Sequence, residues 1–314
     1  MTAIGAPRPA LIDGLFFIVI AAFALSLGDG LVKITSTHAS LWQLLMLRSL
    51  IAVPLLIGVI RTRGGRSLKP NNSLWVGVRS LLLVAMWIAV YVAVAGLPLP
   101  TVSAALYTAP LIITLLSGLA PGRRMAIGEI GAVVVGFVGV LMLLQPGGSA
   151  FSVVLWLPLA GALCYALAAL VTGSRCREES PLLLSLILNV AFLLVGTIMT
   201  TGLTLWPVAA ELRGAAPFVL NGWQTITSTA LLPVAGLVTM LALIMVVANT
   251  SMARAYQIGP APVIAAGDYS YLVFSCLWSL LLFGEAPTAL GALGIALIVA
   301  AGLWASAAGR GRSG

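Results

Sequence analysis

Asp268 is the residue of this sequence with the most chemistry to offer, a carboxylate flanked by Gly267 and Tyr269 well inside an apolar stretch. An ionised acid at that depth needs a partner or water, and buried alone it would hold a proton. A proton-coupled carrier would use that behaviour. A structural acid, paired with a basic residue or a backbone group, accounts for the same residue. Arg48 lies midway along another apolar stretch and keeps its charge at accessible pH. Its natural tasks are to bind a substrate carboxylate or to pair with Asp268 or Asp29. Asp29 and Lys33 stand four apart with the acid first, the spacing of a local ion pair on a helix, and are read as such near the outer surface. Glu129 and Glu285 fall at helix starts, where the positive dipole end favours an acid. Asn189 and Asn249 are expected to act as interhelical hydrogen-bond glue.

Aromatic residues mark a candidate substrate cavity. Trp87 and Tyr91 are four apart and share a helix face, and Ser103, Tyr107 and Pro110 share another. Pro110 would leave the carbonyl of Leu106 without its helical donor, an interruption tolerated where it lines a cavity. Tyr165, Tyr269 and Tyr271 add phenols at depth. Such surfaces suit an apolar or aromatic solute with a few polar handles. Packing and interfacial belts use the same residues. No phosphate-cradling Gly-x-x-x-x-Gly-Lys-Ser/Thr loop, His-Glu-x-x-His or Gly-x-Ser-x-Gly occurs, so neither ATP hydrolysis nor protease or lipase chemistry is indicated. His38 is the lone histidine, and Cys164, Cys176 and Cys276 are scattered without ligand or disulfide spacing. No metal, cofactor or catalytic residue is expected.

The elements that must position these residues are membrane helices. Of 314 residues 61% are hydrophobic and 8% charged, far from the balance of a soluble domain. Spanning the bilayer takes about 20 largely apolar residues. Ten segments qualify: Leu11–Lys33, Ala39–Ile60, Leu74–Ala95, Pro100–Leu119, Ala126–Leu144, Val153–Thr172, Leu182–Leu205, Ser228–Thr250, Pro260–Phe283 and Pro287–Ser306. The first lacks a basic start of the usual kind and a small-residue cleavage site, so it reads as a retained helix. The segment from Trp206 to Thr227 is the one long connection, with Trp206 and Trp223 suited to the headgroup layer.

The net charge of +8 reflects membrane orientation and not nucleic-acid binding. With the N-terminus inside, the inner side holds Arg8, Arg61, Arg63, Arg66, Lys69, Arg79, Arg123, Arg124, Arg175, Arg177, Arg254, Arg310 and Arg312. The outer side holds only Lys33 and Arg213. That asymmetry requires an even number of spans and both termini inside. Compact loops and Arg in excess of Lys point to a bacterial cytoplasmic (inner) membrane.

The halves resemble each other. Gly128, Gly131 and Gly139 repeat in spacing as Gly291, Gly294 and Gly302. Leu97-Pro-Leu-Pro-Thr-Val-Ser-Ala-Ala aligns with Ile258-Gly-Pro-Ala-Pro-Val-Ile-Ala-Ala, and Ala39–Arg48 with Ser180–Asn189. Five helices per repeat is an odd number, so the second repeat must be inverted, and its outer loops are accordingly poor in Lys and Arg. The expected fold is therefore an all-α polytopic membrane protein of two inverted five-helix repeats, residues 1–150 and 151–314. Such repeats allow alternate opening to either side around a midplane site. Gly128/Ala132/Gly136 and Ala292/Ala296/Ala300 offer small-residue faces for tight packing within the chain, and a monomer is expected.

The run Leu281-Leu-Phe-Gly-Glu-Ala-Pro-Thr-Ala-Leu-Gly-Ala-Leu-Gly resembles the second repeat of the EamA-type drug/metabolite transporter superfamily. Ala105-Leu-Tyr-Thr-Ala-Pro resembles its first-repeat counterpart, and Leu45-Met-Leu-Arg48 its second helix. The resemblance implies two inverted five-helix repeats around a central cavity and export of amino acids or other metabolites. Aromatic amino-acid exporters of the YddG type belong to that superfamily. One departure is Pro121-Gly122-Arg123-Arg124, where members often carry Gly-Glu, which restricts any role of that acid to Glu285.

The function expected is ATP-independent export of small amphipathic metabolites, with hydrophobic or aromatic amino acids foremost, Arg48 favouring a carboxylate and Asp268 able to bind a proton. A multidrug exporter of organic cations, with Asp268 as cation site, is the transport alternative. An intramembrane lipid-modifying enzyme and a membrane scaffold are alternatives of other classes. The orientation is testable with single cysteines in intact cells lacking the native three. Glu211→Cys should react with an impermeant thiol reagent added outside, and Arg177→Cys only after the membrane is broken; the reverse pattern would invert the topology.

Overall fold

The computed structural model describes residues 8–62, 68–96, 102, 105–118, 127–144, 156–284 and 289–310. Every regular element among them is helical. The first half provides α1 (Arg8–Thr35), α2 (Leu41–Thr62), α3 (Ser73–Gly96), α4 (Ala109–Gly118) and α5 (Ile127–Leu144). The second provides α6 (Trp156–Ser174), α7 (Pro181–Leu205), the short α8 (Ala210–Ala215) and α9 (Pro217–Leu220), and α10 (Ser228–Ile258). It ends with α11 (Ala261–Asp268), α12 (Ser270–Phe283) and α13 (Ala289–Arg310). Punctuation follows backbone chemistry. Pro181 and Pro262 occupy first-turn positions, where a missing N–H costs no bond. α12 ends at Gly284 in the left-handed conformation (φ 68°), whose N–H closes on Leu280 O.

Seven spans are long and apolar enough to cross a membrane: Leu11–Thr35, Leu41–Thr62, Ser73–Ala93, Trp156–Ser174, Pro181–Leu205, Ser228–Ile258 and Ala261–Phe283. Shorter apolar helices, Ala109–Gly118, Ile130–Gly139 and Ala289–Ala301, stand where the fourth, fifth and tenth spans are expected from sequence. The outer surface confirms what surrounds them. Phe16, Leu81, Leu194, Ile198 and Leu232 are all exposed, a band of large apolar side chains that water would not tolerate and lipid does. Arg61, Lys69, Arg175, Arg177 and Arg254 are exposed at or next to the end where α3 and α7 begin, which is therefore the basic end of the bundle. Arg79, counted from sequence with these loop cations, is instead buried within α3. Arg63, Arg66, Arg123, Arg124, Arg312 and Glu285 lie outside the described residues.

The helices pair across the halves. α2 packs on α7, α5 on α13, α1 on α10, and α3 on α6. α4 meets α11 and α6, while α1 also meets α11 and α12. Glycine decides how close two of these pairs come. A Cβ on Gly196 of α7 would stand 2.8 Å from both Met46 N and Trp42 O of α2, so two backbones meet there. A Cβ on Gly139 of α5 would stand 2.9 Å from Gly294 O of α13. On α5 the face expected from sequence does pack, with Ala132 and Gly136 buried. On α13 it does not: Ala292, Ala296 and Ala300 are exposed, and the packed face is Gly291, Gly294, Ile298 and Ala301. A four-residue repeat drifts around a helix of 3.6 residues per turn, so two faces one position apart both read as small from sequence.

Two glycines of α7 give opposite predictions. Gly196→Ala has no room, and overpacking two backbones should cost about 1–3 kcal/mol. Gly202→Ala meets nothing within 4 Å and should be neutral or stabilising by up to about 1 kcal/mol through helix propensity. Thermal unfolding of the purified variants in one detergent measures both, and equal Tm values would refute the α2–α7 contact.

Candidate functional site

Two apolar helical segments are interrupted, and both interruptions sit at tyrosines beside one interior space. In the first half the chain turns at Tyr107 and Thr108 before α4 begins. The Thr108 N–H and hydroxyl both donate to Ala105 O, at 3.2 and 2.7 Å, and close the turn. Pro110 is thus not a kink within a continuous helix, as its position in the sequence suggests; it lies in the first turn of the restarted one. In the second half α11 ends at Asp268, Tyr269 bridges, and α12 starts at Ser270, with Leu272 N–H donating to Tyr269 O at 3.0 Å. The Tyr107 and Tyr269 rings lie 6.4 Å apart, which brings the two breaks together.

Beside the breaks is a cavity of about 510 Å³. Trp87 and Tyr91 of α3, stacked at 5.1 Å, form one wall. Tyr107 and Tyr271, stacked at 4.7 Å, form another, with Tyr165 of α6 and Met252 of α10 between them. All six tyrosines of the chain gather here: four line the cavity, while Tyr256 stands edge-on to Tyr165 at 6.4 Å and Tyr269 to one side of Tyr107.

Two carboxylates enter this aromatic lining, one from each half. The Tyr165 hydroxyl donates to Asp268 Oδ2 at 2.6 Å, and the Tyr271 hydroxyl to Asp29 Oδ2 at 2.5 Å. Asp268 Oδ1 is buried and has no hydrogen-bond partner among the described residues, so the acid retains an acceptor for a donor from elsewhere. Asn249, Lys33, Ser36 and Ser279 complete the polar part of the lining. The arrangement can sandwich a flat ring and offer acceptors to its polar substituents.

The cavity leads toward the end of the bundle opposite the basic one. Lys33 and Ser36 close α1, Ser279 lies near the end of α12, and Phe218 reaches in from α9. The segment carrying Phe218 is fastened to the start of α2. Ser40 Oγ donates to Gly222 O at 2.7 Å, Trp42 Nε1 to Val219 O at 2.7 Å, and Gln43 exchanges two bonds of 3.0 Å with Gln224. The basic end is shut by hydrogen bonds among α3, the α6–α7 turn and α10. Asn72 N–H donates to Glu179 Oε1 at 2.8 Å, and Gln257 Nε2 to the carbonyls of Cys176 and Glu179 at 2.8 Å each.

Of the residues selected from sequence, Trp87, Tyr91, Tyr107, Pro110, Tyr165, Tyr271 and Asp268 line the cavity. Tyr269 is buried behind the lining, and Ser103 lies outside the described residues. Arg48 is one layer back: its guanidinium lies 4.9 Å from the Phe192 ring centroid, with Tyr91 and Asp29 within electrostatic reach. Asp29 and Lys33, expected near the outer surface, both line the cavity, Asp29 bonding Tyr271 and the Lys33 ammonium lying 4.2 Å from the Phe283 ring centroid. Asn189 donates to Ser185 O of its own helix at 2.8 Å, not across helices, and Asn249 faces the cavity. Sequence reasoning missed Phe218 and Met252, which carry no marking pattern. It also missed Tyr256, which one signal would have found: the chain has only six tyrosines, and each lies near the cavity.

Known proteins resemble this chain. Residues 12–145 match the EamA-like transporter family. The pseudopaline exporter CntI of Pseudomonas aeruginosa is 25% identical over 92% of this chain and 94% of its own length. A riboflavin transporter of Rhizobium johnstonii is 26% identical over 96% and 94%, and one of Vibrio cholerae 25% over 92% and 91%. A crystal structure of a protein superposes with a TM-score of 0.66 at 19% identity, covering 95% of this chain and 98% of that one, a likeness of fold alone. With a match to the EamA-like transporter family over residues 12–145 and apolar spans in both halves, the chain is a multi-pass membrane protein that carries an EamA-like domain, a transporter and not an enzyme.

Proposed function

We propose that this chain is a secondary transporter that carries small, ring-bearing amphipathic metabolites out across the bacterial cytoplasmic membrane by alternating access. Its ten spans form two inverted repeats, residues 1–150 and 151–314, working as a monomer without cofactor. One observation carries the reading: an aromatic cavity of about 510 Å³ that takes one carboxylate and one broken helix from each half. Discontinuous helices meeting at a substrate site are the expected construction of an inverted-repeat carrier. The helix pairing supports the repeat. Exchanging each span for its counterpart five positions on turns α2–α7, α5–α13 and α4–α11 into themselves and α1–α10 into α3–α6.

Amino acids with aromatic side chains suit the lining, with the ring between Trp87 and Tyr107 and the ammonium at a carboxylate. Flat neutral solutes of the riboflavin kind fit the same walls. A second reading, export of organic cations, draws on the two carboxylates in the lining and on the withdrawal of Arg48 from it.

The test is counterflow in proteoliposomes with radiolabelled tryptophan, phenylalanine, leucine, riboflavin and tetraphenylphosphonium, with and without a pH gradient. Saturable movement of a ring-bearing solute over leucine is expected. In Asp268→Asn, gradient-driven accumulation should fall at least tenfold while exchange persists, the mark of a coupling acid. Preference for tetraphenylphosphonium would favour the cation reading, and immobility of every solute under every gradient would sink the transport reading itself.

A further inference from the structure

Arg79 is 2% exposed within α3 and makes bonds to neutral partners only. Its Nε donates to Thr172 Oγ1 at 2.8 Å and its Nη1 to Leu184 O at 3.5 Å. No carboxylate pairs with it among the described residues. An uncharged amide would serve these two bonds without bringing a permanent charge into the bundle, so holding the helices together does not account for an arginine. A buried intramembrane cation of this kind calls for an anionic partner.

The surroundings of Arg79 indicate where that partner comes from. Arg79, Thr172, Ala169 and Tyr256 line a second void, of about 10 Å³, on the closed, basic side. Leu83, Tyr165 and Met252 line both this void and the main cavity, so a single layer of side chains divides them. Tyr165 is the member of that layer bonded to Asp268, whose other oxygen is unpartnered. The lining thus passes from Asp268, an acceptor for a donor nitrogen in the main cavity, through Tyr165, which borders both voids, to the buried cation Arg79 in the second.

We propose that the small void is the closed continuation of the transport path and that Arg79 is an anion-binding station within it, so that the carried solute bears an acidic group. This rests on the transport reading above and narrows it to solutes with a carboxylate or similar anion, in zwitterions opposite a donor nitrogen held at Asp268. Displacement of Tyr165 from Asp268 joins the two voids and brings the acidic group to the guanidinium.

The test requires no knowledge of the solute. In full-length protein with Cys164, Cys176 and Cys276 replaced, Ala169→Cys places a thiol in the void. In proteoliposomes it is labelled with a sulfonate-bearing and a trimethylammonium-bearing methanethiosulfonate, each rate normalised to that of a free thiol. The anionic reagent should be favoured about tenfold, the lower end of what a cleft of one charge does for a counter-ion. Arg79→Gln should abolish the preference and Arg79→Lys retain it, with both variants monodisperse on gel filtration. A preference unchanged in Arg79→Gln, or no preference at all, would show Arg79 to be a helix tie. A thiol unreactive to both reagents from both sides would remove the void from the path. Solute counterflow is measured separately, so failure here leaves the transport reading standing and its failure leaves the labelling result intact.

Discussion

A carboxylate inside hydrocarbon must be given a donor, and the interior of this bundle is organised around that demand. Lipid supplies none. Asp29 and Asp268 are met by the hydroxyls of Tyr271 and Tyr165, each reaching across from another helix. A phenol is well suited to the task, because it brings an O–H to the acid while its ring packs like a hydrocarbon. Each pairing also fixes a ring, and the fixed rings stack on further rings, Tyr107 on Tyr271 and Tyr256 against Tyr165. The aromatic walls are thus built outward from the two acids.

The helix breaks answer the same accounting. An interruption in a membrane helix exposes backbone carbonyls that only a side chain or a cavity can accommodate. At Tyr107–Thr108 the Thr108 hydroxyl bonds Ala105 O; at Tyr269 the turn tightens so that Leu272 N–H reaches it. Both breaks are placed where the walls already leave space. The pair α5 and α13 meets instead through glycine and small side chains, Gly139 against Gly294 and Gly136 against Ala301.

Much of this was legible in the sequence. Apolar run lengths gave the seven long spans, and depth within the runs singled out Asp268 and most of the aromatic lining. What stayed hidden was rotational. Asp29 and Lys33 have the spacing of a surface pair, yet spacing does not say which way a face turns, and α1 turns this one inward against Tyr271. Arg48 shows the converse, a central cation directed at the Phe192 face behind the wall. Arg79 was grouped with loop cations because it follows a basic loop closely, and only the packing of α6 and α7 around it shows that it is enclosed. Phe218 arrives from a connection whose path no periodicity encodes.

That connection also joins the cavity to the bilayer. Residues 206–227 carry Phe218 into the lining and are pinned to α2 at Ser40, Trp42 and Gln43, while Trp206 and Trp223 remain exposed, 76% and 51%. Indoles settle at the level of the lipid headgroups. The segment that walls the cavity at Phe218 is thus also the one that presents indoles to the bilayer surface, so the same backbone is held by protein on one side and meets lipid on the other.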